Sequence, residues 1–307
     1  MTCPMTLTPT SEDVDTDDAR AAGDLFERVG GSWFIALFAT ALFDQAMLPA
    51  VSAALEDTGR IRNDPWWRGL RSAASDQIVF HGLADDRRAE TERLVSLHRE
   101  VKGVSPDGVR YSALNPESWN WILISTFMMY RSAVAVITGT EFTPAGNQGT
   151  WDRFLSMTAG LQLSGRSALP CDYHVVSAYY DRVAAEKLEF TATLDCAVAA
   201  VLRAPRPDFV PTVLAPLWNV TSPVAGHIVS VLGFGVMRPQ VRNQIPMSWG
   251  RRHDIEFAVL ARTIQLAYRW LPARMTDTPL ARNRREYARL VAKYRGVGLT
   301  SFAPGSA

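Results

Sequence analysis

The side chains best suited to chemistry in this sequence are its five histidines, His81, His98, His174, His227 and His253. No two stand at i, i+4 as in HExxH, and no three have facial-triad spacing, so a mononuclear zinc or non-haem iron site has little support. Cys3, Cys171 and Cys196 are far apart, odd in number and form no CxxC. That usage suits a reducing compartment without a disulfide framework. There is no Walker loop. VLGFGVM carries only a fragment of a dinucleotide fingerprint, and neither GTEFT nor LQLSGRS contains GxSxG.

His98 is set apart by its neighbours. In LVSLHREVKG, read as a helix, Leu94, Leu97, His98 and Val101 share a stripe, while Arg93, Arg99, Glu100 and Lys102 fall elsewhere. An imidazole on an apolar stripe is either a satisfied core residue or a ligand. A lone histidine facing a large apolar cavity suits haem, whose iron needs one protein imidazole and leaves its other face for O2. Arginines at the rim would pair with the propionates. On residues alone both readings stay open. The other histidines read as structural: His81 as a charged cap at a helix C-terminus, His174 and His227 near helix starts after Pro170 and Pro223, and His253 in a solvated cluster with Arg251, Arg252 and Asp254.

The elements that must position these groups are helical almost throughout. Helices are expected over 21–29 and from Gly31 to about Thr58, the latter bent at Leu48-Pro49. IRNDPWWRGL starts a helix at Pro65 that ends at His81-Gly82. Another runs over 85–102, closed by Gly103. SPDG is a turn, and NPESW starts a central apolar helix with Asn115 as N-cap and Pro116 at N1. TPAGNQGT reads as a loop before a helix capped by Thr150. A further helix starts at LPCDYHVV, its partner runs through LEFTATLDCAVAAVL, and others cover 224–236, 239–244, 254–271 and 279–294, with APRPDFVPTVLAP as a crossing segment. The expected architecture is all-α: a flexible acidic leader over 1–22, a single globular helical domain over 23–297 enclosing a haem pocket, and a loose tail over 298–307.

The 32 basic and 31 acidic residues balance to +1, so no charge excess steers the chain to nucleic acid or to an anionic membrane. The polar, acidic N-terminus lacks the basic and apolar regions of a targeting signal, which suggests a cytoplasmic location. WFIALFATALF is too short to span a bilayer, and Tyr130 and Arg131 interrupt the apolar segment over 119–139. No transmembrane span is expected, and peripheral membrane contact stays open.

Several segments in order carry a resemblance: RGLRS, then LHREVKG, then DGVRYSALNPESWNWI, and later RNQIPMSWGRR and LPARMTDTPLAR. From about Leu25 to Arg282 the chain resembles the haem-dependent oxygenase family that includes mycophenolic-acid oxygenase B and the latex clearing proteins. The resemblance implies haem b with His98 as axial ligand. Arg68 matches the family's arginine on the preceding helix and Ser72 its hydroxyl. Arg71 stands where rubber-cleaving members carry a lysine. A guanidinium stays charged and does not ligate iron, so Arg71 is expected to hydrogen-bond O2, a propionate or the substrate. On a helix Trp67, Arg71, Ala74 and Ile78 share a stripe, which would turn Arg71 into the same interior as His98. Ser125 and Thr126, mid-helix in an apolar segment, are candidates to face the distal pocket. Arg131 needs a partner, a propionate or a carboxylate. Glu56 and Asp57 are candidate bases, and Tyr111 and Trp119 read as wall and packing residues rather than catalysts.

The function expected from the resemblance is a haem b oxygenase that uses O2 to oxidise a hydrophobic small molecule, with C=C cleavage the reaction of the latex clearing relatives. Two readings of other classes stand beside it. One is a haem-binding sensor or carrier without turnover, and the other a haem-free helical protein that binds lipid or partner proteins. The electron donor is not fixed by the residues.

Overall fold

The computed structural model describes residues 11–59 and 65–297; the expected tail and the first ten residues of the expected leader lie outside them. In chain order the helices are α1 (Ser11–Gly30), a 3-10 helix (Trp33–Met47), α2 (Pro49–Asp57), α3 (Pro65–His81) and α4 (Ala84–Arg99). A hairpin of β1 (Lys102–Val104) and β2 (Arg110–Ser112) follows, then α5 (Pro116–Thr138), α6 (Pro144–Met157), α7 (Tyr173–Glu186) and α8 (Ala192–Leu202). The chain continues through α9 (Ala215–Val236), α10 (Pro239–Arg242), α11 (Arg251–Trp270), α12 (Ala273–Thr276) and α13 (Pro279–Arg295). The fold is all-α apart from that hairpin.

The core is built round α5. Asn115 caps it by accepting from the Glu117 amide, and Pro116 opens its first turn. Its sequence is apolar on most sides, and Trp121, Ile124, Phe127, Ala133, Val134 and Ile137 are buried. Around it pack α1, α6, α7, α9, α11 and the 3-10 helix. By length and composition two helices could cross a membrane, Pro116–Thr138 and Thr212–Val236. Counting the bent pair Trp33–Met47 and Pro49–Asp57 as one span would make three. Over half of the first helix's apolar window (56%) lies inside the fold, against 39% of the second's.

Several expectations need correction. α1 begins at Ser11, so half of the expected leader is helix, lying along α6. The helix expected from Gly31 divides at Leu48-Pro49 as foreseen, with a 103° bend. Its first part, however, is 3-10. Ile35, Phe38, Ala41, Asp44 and Met47 are all buried. Their uniform spacing of three is the period of that helix, in which such residues eclipse in one row. α4 stops at Arg99, because Lys102 and Gly103 pair with Ser112 and Tyr111 across the SPDG turn. α6 begins at Pro144 with Thr143 as cap, not at Thr150. The glycines that suggested a loop allow close packing instead: a Cβ on Gly149 would run into the Ala19 carbonyl of α1. α9 starts at Ala215, with Pro223 inside it, so His227 is mid-helix.

Candidate functional site

α3 and α4 form a helical hairpin, joined across its closed end by Ser75 Oγ donating to the buried Glu90 carboxylate. Arg93, chelating the same carboxylate, holds it below the usual range. From this link Arg68 lies seven residues along α3 and His98 eight along α4. At 1.5 Å per residue both stand about 10–12 Å towards the open end. The two helices are not sealed there. Trp67, Leu70, Arg71, Ser72, Ala73 and Ala74 are exposed on α3 and Leu97 on α4, while Arg68 and His98 are half-buried. The interior expected around Arg71 is therefore open to solvent. The N-terminal end of α3 is braced from outside, by Trp66 against Trp218 and Trp67 against Phe209.

His98 is held from two sides. Its Nδ1 lies 2.7 Å from the Leu94 carbonyl oxygen, one helical turn back. A carbonyl only accepts, so Nδ1 donates and Nε2 carries the lone pair. Nε2 has no partner among the described residues. The ring also meets the Trp119 indole edge-on, centroids 5.5 Å apart at 84°. Trp119 is anchored in turn by donating to the Leu161 carbonyl at 2.6 Å. A half-buried imidazole in a fixed tautomer and plane, with Nε2 left unpartnered among the described residues, has the chemistry of a residue that could hold haem iron.

The residues after His98 act as a brace. Gly103 faces Tyr111 in the hairpin. A Cβ on Gly103 would stand 2.5 Å from the Tyr111 hydroxyl, so only glycine leaves room for that ring. The buried Tyr111 donates to Asp57 Oδ2 of α2 at 2.5 Å, and the carboxylate raises the pKa of the hydroxyl. Tyr111 is thus a structural link between the hairpin and α2. Of the two candidate bases, Asp57 holds Tyr111, and Glu56 accepts from Thr193 at 2.8 Å.

The remaining candidates lie further along α5. Ser125 and Thr126 both accept from Gln45 Nε2, at 3.0 and 3.1 Å. Arg131 donates to Asn147 Oδ1, not to a carboxylate, and stacks over Phe142 and Tyr173. It is twelve residues, about 18 Å along the helix, from the tryptophan that touches His98. Arg131 lines a different concavity of about 280 Å³ together with Asp44, Tyr173, Tyr180, Met237 and Arg238. Asp44 is buried, accepts from Tyr180 at 2.8 Å and leaves Oδ1 unpartnered; burial pushes its pKa up to about 7. Sequence reading missed both Asp44 and Gln45. The signal for Asp44 was its place in the row of three-residue spacing.

Of the other histidines, His81 and His227 differ from expectation, while His174 and His253 lie at helix starts as expected. His81 is buried at the end of α3, and desolvation lowers its pKa from 6.5 to about 4. It is therefore neutral and not a charged cap. His227 pairs with Glu256 of α11 at 2.9 Å, and His253 accepts from the Gly250 amide and stacks on Trp249. His174 is exposed in the first turn of α7. Among the described residues no three His, Cys, Asp or Glu converge as a metal-ion set.

Comparison with known proteins adds one match. Residues 27–266, more than three quarters of the chain, fit the family described as ER-bound oxygenase mpaB/B'/Rubber oxygenase, catalytic domain. No curated protein and no solved structure matches significantly.

Proposed function

From the chain's membership of the mpaB/rubber oxygenase family we propose that it is a haem b-dependent oxygenase acting on a hydrophobic small molecule, with His98 as the residue that would hold the iron. The observation that carries the reading is the Nδ1 contact to the Leu94 carbonyl, which turns the lone pair to Nε2. When bound, haem supplies the redox chemistry that lets O2 react with an electron-rich double bond or aromatic ring.

The chain's own residues then have separate tasks. The Leu94 carbonyl fixes the tautomer of His98, and Trp119 fixes the ring plane. Trp67, Leu70 and Leu97 offer apolar surface to the substrate and exclude water from it. Arg71 supplies a permanent positive charge and Ser72 a hydroxyl on the facing helix, which would be able to polarise O2 or hold a propionate. Arg68 serves as a second propionate partner.

The test is the absorption spectrum of the protein and its His98→Ala variant, both expressed with added haem precursor. The expected result is a Soret band that shifts or disappears in the variant, together with O2-dependent conversion of apolar alkenes. A folded, haem-supplied wild type without the band would overturn the reading. A histidine-ligated haem protein that returned every alkene unchanged would instead be a sensor or carrier.

A further inference from the structure

The last described helix carries a face that the other described residues leave uncovered. Among the described residues α13 is fixed at its beginning. Thr278 caps it by accepting from the Ala281 amide and donates to Gln77 of α3 at 2.7 Å. Ala281 is buried, and Arg285 pairs with the buried Asp277. From Glu286 to Val297 every residue is exposed except the half-buried Val291.

Along that exposed length the apolar residues are ordered. Tyr287, Leu290 and Tyr294 recur at intervals of three and four, which places them in one stripe, and Val297 follows just past the helix end. They are 57, 49, 69 and 77% exposed, so the body of the protein does not cover the stripe. Arg289 and Lys293 flank it on one side, Arg284 and Arg295 on the other. Residues 279–297 hold six basic side chains against one acid, Glu286, in a chain whose total charge is only +1. The opposite charge is gathered elsewhere: α1 has seven acidic and two basic residues.

A tyrosine-containing apolar stripe flanked by arginine and lysine is the composition of a helix lying in a lipid interface. The rings sit at headgroup level, and the long basic stems reach the phosphates. Nucleic acid would use the charges but leave the stripe without a role. We propose that α13 docks the protein on the surface of an anionic lipid bilayer, with its Tyr287–Val297 stripe in the headgroup layer. The proposal does not depend on haem or on turnover.

Vesicle co-sedimentation of the full chain tests it, using phosphatidylcholine vesicles with and without phosphatidylserine. Binding should require phosphatidylserine and weaken at high salt. A basic residue near such a surface contributes about fivefold, so Arg289→Gln with Lys293→Gln should bind about 25-fold more weakly. Leu290→Ser with Tyr294→Ser should lose at least about tenfold. All four positions are exposed, and circular dichroism would check that each variant folds as the wild type does. No binding, equal binding to neutral vesicles, or full binding by the stripe variant would overturn the proposal. So would a wild-type dimer dispersed by that variant, since the stripe would then be a contact between two copies of the chain.

Discussion

His81 ends α3 and His98 lies in the last turn of α4, and in each Nε2 has no hydrogen-bond partner among the described residues. Their surroundings differ. His81 is sealed in the core: Phe80 beside it packs edge-on against Tyr130 at 5.0 Å, and a Cβ on Gly31 would stand only 3.1 Å from Nε2. His98 is half-buried beside the unsealed end of the α3–α4 hairpin. A bare ring nitrogen is therefore not by itself a ligand site. It becomes one where something the size of a cofactor can reach it, and where a second contact has already chosen the tautomer.

Alanine at each position should separate the two roles most widely. His98→Ala should remove the histidine-ligated Soret band and all O2-dependent turnover, while changing stability by about 1 kcal/mol or less. His81→Ala should do the reverse, keeping the band but losing about 2–4 kcal/mol to the cavity left in the core. Spectra and urea unfolding of both variants check this. A stable His81→Ala protein with no Soret band would exchange the roles of the two residues.

Titration sharpens the same contrast. The unfolded chain protonates His81 near 6.5 and the folded chain only near 4. Its contribution is thus complete above about pH 6.5 and is lost as pH falls towards 4, a span of about 3 kcal/mol. Asp44 acts in the opposite sense. Its pKa rises from 3.8 to about 7 on folding, so the stability it contributes is present at low pH and lost as pH rises through 7. Urea unfolding between pH 4 and 7 should show a more negative slope with pH in His81→Gln and a less negative one in Asp44→Asn. Unchanged slopes would mean that neither group is as buried as the structure places it.

The brace on the His98 side should be next in effect. Gly103→Ala pushes the Tyr111 ring off its place and strains its bond to Asp57, with an expected loss of about 1–3 kcal/mol. Because the hairpin follows directly on α4, haem retention should fall with it. Retention equal to wild type would show that the hairpin does not support His98.

What the sequence disclosed, and what it hid, follows from the range of the forces involved. Local signals were legible: Asn115-Pro116 as a cap and first turn, Pro65 as a start, and the bend at Pro49. His98 was legible because its stripe and its motif are both local. Features decided by distant neighbours were not. The glycines of TPAGNQGT read as a loop until α1 lies across Gly149. His81 reads as a charged cap until Gly31 and Ala281 enclose it. The polar partner of Ser125 and Thr126 is Gln45, about 80 residues away in sequence, and no local pattern announces it.

The smallest expected effect comes from two helix caps of like chemistry on the two sides of the comparison. Asn115 caps α5, four residues before the tryptophan that touches His98. Thr143 caps α6, whose Phe154 packs on Phe80 beside His81. Alanine at either cap leaves an orphan amide in the first turn and should lower stability by about 1 kcal/mol. The stability losses should match while their consequences differ. Trp119 lies in the first turns of α5, so Asn115→Ala loosens the indole that sets the imidazole plane and should broaden or shift the Soret band. Thr143→Ala should leave that band unchanged. Identical spectra for the two variants would mean that the Leu94 carbonyl alone orients His98, with Trp119 only packing beside it.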